Sequence, residues 1–147
     1  MRFLLDTHIW LWSSREPDKL SSQVYQALSD PGNGRFLSPI SIWEVLLLIE
    51  KKKLEMHEDF RKWYARTVED LALEEAAVTS KVVHEMRSIL PHQRDPADRF
   101  LAATAITYDL VLVTADQKLM AVPGLKVLAV RVSPTAGRIS GSFGRRK

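Results

Sequence analysis

The chain has 147 residues, 46% apolar and 27% charged, enough for one domain with a sizeable core and ordinary for a globular protein. It has no cysteine, which excludes a disulfide framework and thiolate metal sites, so any bound metal must use carboxylate, imidazole or backbone oxygen ligands. The net charge of +3 is uneven: Arg138, Arg145, Arg146 and Lys147 lie in an acid-free stretch, residues 134–147, which leaves residues 1–133 at −1.

Arg2–Leu5 is a short apolar run that ends at Asp6 and reads as a buried strand. Its length and the acid that follows do not fit a signal peptide, and the longest apolar run, Val45–Ile49, is far below the ~20 residues of a membrane span. The expected compartment is therefore the cytoplasm. Ile9–Trp12 reads as the start of a helical turn, broken near Glu16-Pro17, and Leu20–Leu28 as a helix with Ser21 or Ser22 near its start. Pro31-Gly32-Asn33-Gly34 is a turn, and Arg35–Leu37 a second strand. In Ser38-Pro39 the serine can cap a helix, while proline at the first helical position forfeits an N–H that would have no partner. That helix should run to about Lys52, with Lys51-Lys52-Lys53 complementing its negative end. His57–Asp70 is read as a further helix, Glu75–Val78 as a short strand and Thr79–Leu90 as an amphipathic helix stopped by Pro91. Asp95-Pro96 repeats the cap-proline logic for a helix to about Tyr108. Leu110–Thr114 has the continuous branched character of a central parallel strand; Asp116–Met120 is a short helix and Leu125–Val130 a last strand. Strands separated by helices predict an α/β fold with a mostly parallel sheet.

Four acids stand at junctions between these elements. Asp6 ends the first strand, Glu44 lies inside the helix after the second, Asp98 is in the first turn of the Asp95–Tyr108 helix, and Asp116 follows the Leu110–Thr114 strand. In an open parallel sheet, ligand sites form at the carboxyl ends of strands near a reversal of strand order. Gathered there, the acids would repel one another unless a divalent cation intervened. Mg²⁺ or Mn²⁺ beside a phosphodiester is the chemistry such a set suits, and no histidine spacing favours zinc. Each acid also has a purely structural alternative: a turn or cap for Asp6, an exposed helix face for Glu44, a capping pair with Asp95 for Asp98, and a helix cap for Asp116. For Asp95 itself the cap is the favoured reading.

The blocks Leu4-Leu5-Asp6-Thr7-His8-Ile9-Trp10-Leu11-Trp12, Ser38-Pro39-Ile40-Ser41-Ile42-Trp43-Glu44, Asp95-Pro96-Ala97-Asp98-Arg99-Phe100-Leu101-Ala102-Ala103-Thr104-Ala105 and Leu112-Val113-Thr114-Ala115-Asp116 resemble, in order, those of PIN-domain proteins of the VapC toxin kind. The resemblance implies a three-layer α/β/α fold over residues 1–133, with residues 134–147 as a basic, disordered tail. It implies a metal-dependent endoribonuclease acting on tRNA or rRNA, a homodimer, and inhibition by a cognate antitoxin protein. It makes Asp6, Glu44 and Asp98 metal ligands and Asp116 a fourth acid acting directly or through water, with Thr114 helping to position it. Ala97 departs from the bulkier residue usual there, which bears on packing rather than ligation. His8, Arg94 and Arg99 are candidate substrate contacts, although a packed or solvent-facing ring is favoured for His8 and pairing with Asp95 competes for the arginines. Trp10, Trp12, Trp43 and Trp63 are read as core or dimer-interface residues rather than base-stacking platforms. Apolar faces around Trp10–Trp12 and Leu46–Ile49 could grip a partner helix. Two rival readings are a PIN scaffold that binds or regulates without catalysis, and a phosphoryl-transfer fold. The second is disfavoured because Asp6-Thr7-His8 supplies no Asp-x-Asp pair.

Overall fold

Five short strands form one all-parallel sheet in the order β3-β2-β1-β4-β5, namely β1 Arg2–Leu5, β2 Gly34–Leu37, β3 Leu73–Glu75, β4 Val111–Thr114 and β5 Val127–Ala129. A computed structural model describes residues 1–130; the basic segment 134–147 and the domain limit at residue 133 lie outside the described residues. Along β1 the side chains alternate, so that Phe3 and Leu5 enter one core and Leu4 the other; Val113 and Leu112 of β4 divide the same way. Both sheet faces are therefore buried, which is why these strands read as unbroken apolar runs.

Helices α1 (Thr7–Arg15), α2 (Ser22–Ser29), α3 (Pro39–Glu50) and α4 (Phe60–Asp70) cover the first face; α5 (Ser80–Ile89), α6 (Pro96–Tyr108) and α7 (Gln117–Met120) cover the second. The result is a three-layer α/β/α sandwich, as the α/β reading with a mostly parallel sheet anticipated. On the first face Trp10 and Trp63 lie with ring centroids 4.7 Å apart, and each indole N–H has a partner, Thr67 Oγ1 at 3.1 Å and Ser14 Oγ at 2.9 Å. Trp10, Trp12 and Trp63 are core residues, so no partner can grip a Trp10–Trp12 face. Trp43 differs, being 49% exposed.

Local chemistry set several boundaries. Ser38 Oγ accepts from Ile40 N with Pro39 at the first helical position, and Asp95 Oδ1 accepts from Ala97 N and Asp98 N with Pro96 in the same place. Ser21 caps α2, and Asp59 caps α4, which starts at Phe60, three residues later than the expected His57. One expectation is extended and one corrected. The helical turn expected from Ile9 and broken near Glu16-Pro17 is a nine-residue helix that begins at Thr7 and ends at Arg15. The short strand expected at Glu75–Val78 lies at Leu73–Glu75, because this edge strand takes its register from β2, with Leu37 opposite Glu75 where β2 ends. Its two glutamates face solvent, which an edge strand tolerates and which discourages further pairing. Among the described residues no helix is long and apolar enough to cross a membrane.

Candidate active site

The strand order reverses between β1 and β4, whose carboxyl ends lie side by side, with Leu5 opposite Val113 and Asp6 N donating to Val113 O at 3.0 Å. Asp6 leaves the end of β1 and stands at the N-cap position of α1 with extended backbone, yet its carboxylate makes no cap hydrogen bond. It instead accepts from Thr114 Oγ1, at the end of β4, at 2.6 Å. The same hydroxyl accepts from Asp116 N at 3.0 Å, so one fully buried threonine ties two of the four acids to the same strand end. Asp116 also caps α7, accepting from Lys118 N at 2.9 Å through one oxygen, so its structural reading and its place at the site both hold.

Glu44 enters from α3. Its Oε1 accepts from Thr7 Oγ1, which also lies 2.9 Å from Ser41 Oγ. Ser41 and Glu44 are three apart and therefore share a helix face. Asp98 comes from the first turn of α6, where its own N–H is held by Asp95.

Electrostatics bring these groups together. Asp98 is pushed up to about 8, first by burial and then by the charges of Asp6, Asp95, Asp116 and Glu44. Glu44 is pushed up to about 7 by burial, offset by the Thr7 hydroxyl and raised again by Asp6 and Asp95. Asp6, 6% exposed, is also raised by burial; Thr114 pulls it back and the amides at the head of α1 help, although neither closes a cap bond. Asp98 thus feels the other three acids, Glu44 feels Asp6, and Asp6 feels Asp116. Among the described residues no three acids or histidines stand close enough together to hold one metal ion. An open set of hard oxygen donors that repel one another fits Mg²⁺ or Mn²⁺, since Mg²⁺ takes only one or two carboxylates and keeps several waters.

A family model described as the PIN domain matches residues 3–125. The chain belongs to the PIN-domain family. It is 31% identical over 119 residues to Ribonuclease VapC22 of Mycobacterium tuberculosis (strain ATCC 25618 / H37Rv), covering 79% of this chain and 88% of the relative. In fold it is similar to VapBC2 from Rickettsia felis, solved with a DNA fragment from their promoter (TM-score 0.67, 16% identity, 89% of this chain and 100% of that one). It is also similar in fold to VapBC-5 from Mycobacterium tuberculosis, a member of the VapBC family of toxin–antitoxin systems (TM-score 0.56, 21% identity, 89% and 98%).

Within this PIN fold the flanking polar residues take distinct places. Arg99 Nε donates to Gln93 O at 2.6 Å, so its guanidinium ties down the loop before α6 rather than pairing with Asp95. Arg94 is exposed on that loop. Half-buried His8 lines a groove beside Glu44. Sequence reasoning missed three positioning residues. Thr7 and Ser41 orient Glu44, and buried Gln93 accepts from Arg94 N at 3.0 Å and Asp95 N at 3.2 Å, stapling the approach to α6. A signal existed for two of them. Thr7 directly follows the strand-ending acid, and Ser41 is a lone polar residue one turn before Glu44 in an apolar helix. Gln93 carried none.

Proposed function

We propose that this PIN-domain chain is a divalent-metal-dependent endoribonuclease, the toxin of a toxin–antitoxin pair, that hydrolyses phosphodiester bonds of tRNA or rRNA. The observation that carries the reading is the buried Asp6 carboxylate. It does not cap its own helix, is held by Thr114, and its charge acts on Asp98 and Glu44 while that of Asp116 acts on it. Kinship with a protein named Ribonuclease VapC22 supports the same chemistry.

Asp6, Glu44 and Asp98 would hold the cation, with Asp116 joining directly or through water. A divalent ion bound there supplies Lewis-acid stabilisation of charge developing on the phosphate and makes water a better nucleophile. The chain's own residues set the geometry. Thr114 fixes one Asp6 oxygen and the Asp116 backbone, Thr7 and Ser41 aim Glu44, and Asp95 holds the first turn of α6 so that Asp98 faces the crevice. In the overall reaction a water oxygen bonds to phosphorus while the bond from phosphorus to the 3′ oxygen breaks. The water proton is lost to solvent or a carboxylate and the departing oxygen gains one, leaving a 3′-hydroxyl and a 5′-phosphate.

The same acidic crevice would attract an arginine of a partner as readily as a cation, which gives an antitoxin a direct means of inhibition. A homodimer and residence in the cytoplasm belong to this reading as well.

The test is cleavage of total RNA by purified protein with Mg²⁺ or Mn²⁺ and with excess chelator. Cleavage that appears only with the ion is expected; protein inert under every condition yet tightly bound to its partner would instead support the scaffold reading. Thr114→Val, nearly isosteric, removes both of the threonine's bonds. Cleavage is expected to fall about 10–100-fold, as losing a group that orients metal ligands does. Thermal stability should fall as well, because Asp116 N–H loses its acceptor. An initial-rate measurement with unchanged activity would show that Thr114 does not position the acids.

A further inference from the structure

A groove of 260 Å³ opens beside the acid crevice, between α3 and the start of α6. Its lining combines the acids Glu44 and Asp95, the apolar Trp43, Leu47 and Leu48, and, where α3 ends, Lys51 and Lys53. Trp43 is 49% exposed, whereas the other three tryptophans are at most 3% exposed. A large indole left open to solvent beside a catalytic cluster is not needed for the core. Lys51 closes the end of α3 and so complements its dipole, but Lys53 lies beyond the helix, and both lysines border the groove.

The sequence of chemistries along this groove matches one step of an unpaired nucleic-acid strand. The acids with their ion suit a phosphate, the apolar wall suits a base, and the two ammonium groups suit the next phosphate. A protein segment with an arginine would match the acids and the apolar wall, but the lysine end favours an anion. The volume lies below the roughly 300–1,000 Å³ of whole small-molecule sites, in keeping with a single planar base. We infer that this groove is a nucleotide subsite in which Trp43 stacks on an unpaired RNA base adjoining the scissile bond, while Lys51 and Lys53 hold the neighbouring phosphate. This deepens the nuclease reading and rests on it, and it makes the substrate RNA whose bases are unpaired at the cleavage position. Trp43 and the two lysines are substrate-binding residues here, against the expectation that all four tryptophans serve core or dimer contacts.

The test uses the full chain and a mixed-sequence, single-stranded 12-mer RNA, with Ca²⁺ in place of Mg²⁺ to hold off cleavage during binding. Stacking on one aromatic ring predicts that Trp43→Leu weakens binding about 5- to 100-fold, with Trp43→Phe recovering most of the loss. The RNA should quench wild-type tryptophan fluorescence and leave that of Trp43→Phe, with only buried indoles, nearly unchanged. The same sequence as a duplex should not quench. Replacing Lys51 and Lys53 by alanine should flatten the dependence of log affinity on log salt by about 0.7, the value for one phosphate contact on a single strand. Unchanged RNA binding and quenching in Trp43→Leu, or equal quenching by the duplex, would overturn the subsite and leave the groove to a protein segment. The half-exposed position makes misfolding of these variants easy to detect by circular dichroism, and the lysine pair provides an independent reading. Cleavage by the wild type with Mg²⁺ separates the two claims. If it cleaves while the Trp43 variants bind normally, only the subsite fails; if no RNA is cleaved under any metal, the nuclease reading fails, whatever Trp43 does.

Discussion

Replacing Asp6 by asparagine is expected to abolish Mg²⁺-dependent RNA cleavage, by at least about a thousandfold, while the domain stays folded. Asp6 joins the two halves of the crevice, ending β1 and accepting from Thr114 at the end of β4. Asparagine keeps the size and can still accept that hydrogen bond, so packing survives. What disappears is the negative charge that would hold the cation by which charge on the phosphate is offset. Losing even one preorganised donor at a developing oxyanion costs roughly 10²–10³ in rate, and losing a charged ligand should cost more. The fold should gain rather than lose. In the metal-free protein the Asp6 carboxylate is buried and repels its neighbours, Asp98 above all, so Asp6→Asn should melt at a higher temperature than wild type in chelator. Rates on total RNA paired with thermal melts check both halves. Full activity in the variant would remove Asp6 from the site.

The second large effect is a dependence of stability on pH that a metal ion cancels. Burial and mutual repulsion raise Glu44 to about 7 and Asp98 to about 8, and raise Asp6 as well, all above their ordinary values. Between the ordinary carboxylate range and about pH 8, the folded protein therefore keeps protons that the unfolded chain has released. Stability follows the difference in bound protons and must fall as pH rises through that window. The contribution is fully present below the unfolded values and is gone above the folded ones. Solvent screening trims the effect at the partly exposed Glu44 and Asp98, leaving an expected drop on the order of 10 °C in melting temperature between pH 5 and pH 9 in chelator. Mg²⁺ should flatten the curve, because a bound cation removes the reason to hold the protons. A flat profile in chelator would mean that the acids do not face one another.

Much of the architecture is decided within a few residues of chain. Ser38-Pro39 and Asp95-Pro96 start α3 and α6 where they were read, since a cap bond spans only two or three residues and proline forfeits an N–H that has no use there. The apolar runs at β1 and β4 are legible because both faces of a central parallel strand are buried. The four acids stand out in the sequence too, because each interrupts or follows such an element.

What lay beyond the sequence was every decision made by a distant neighbour. β3 slid two residues toward the N-terminus because β2, not its own composition, sets the register of an edge strand. Asp6 could have capped its own helix on local grounds; a threonine 108 residues away claimed the carboxylate instead. Four tryptophans look alike in the sequence, yet packing against the sheet buried three and left Trp43 at the mouth of a groove. Short-range hydrogen bonds and alternation are written along the chain, whereas burial and the convergence of like charges arise only once β1 and β4 lie side by side.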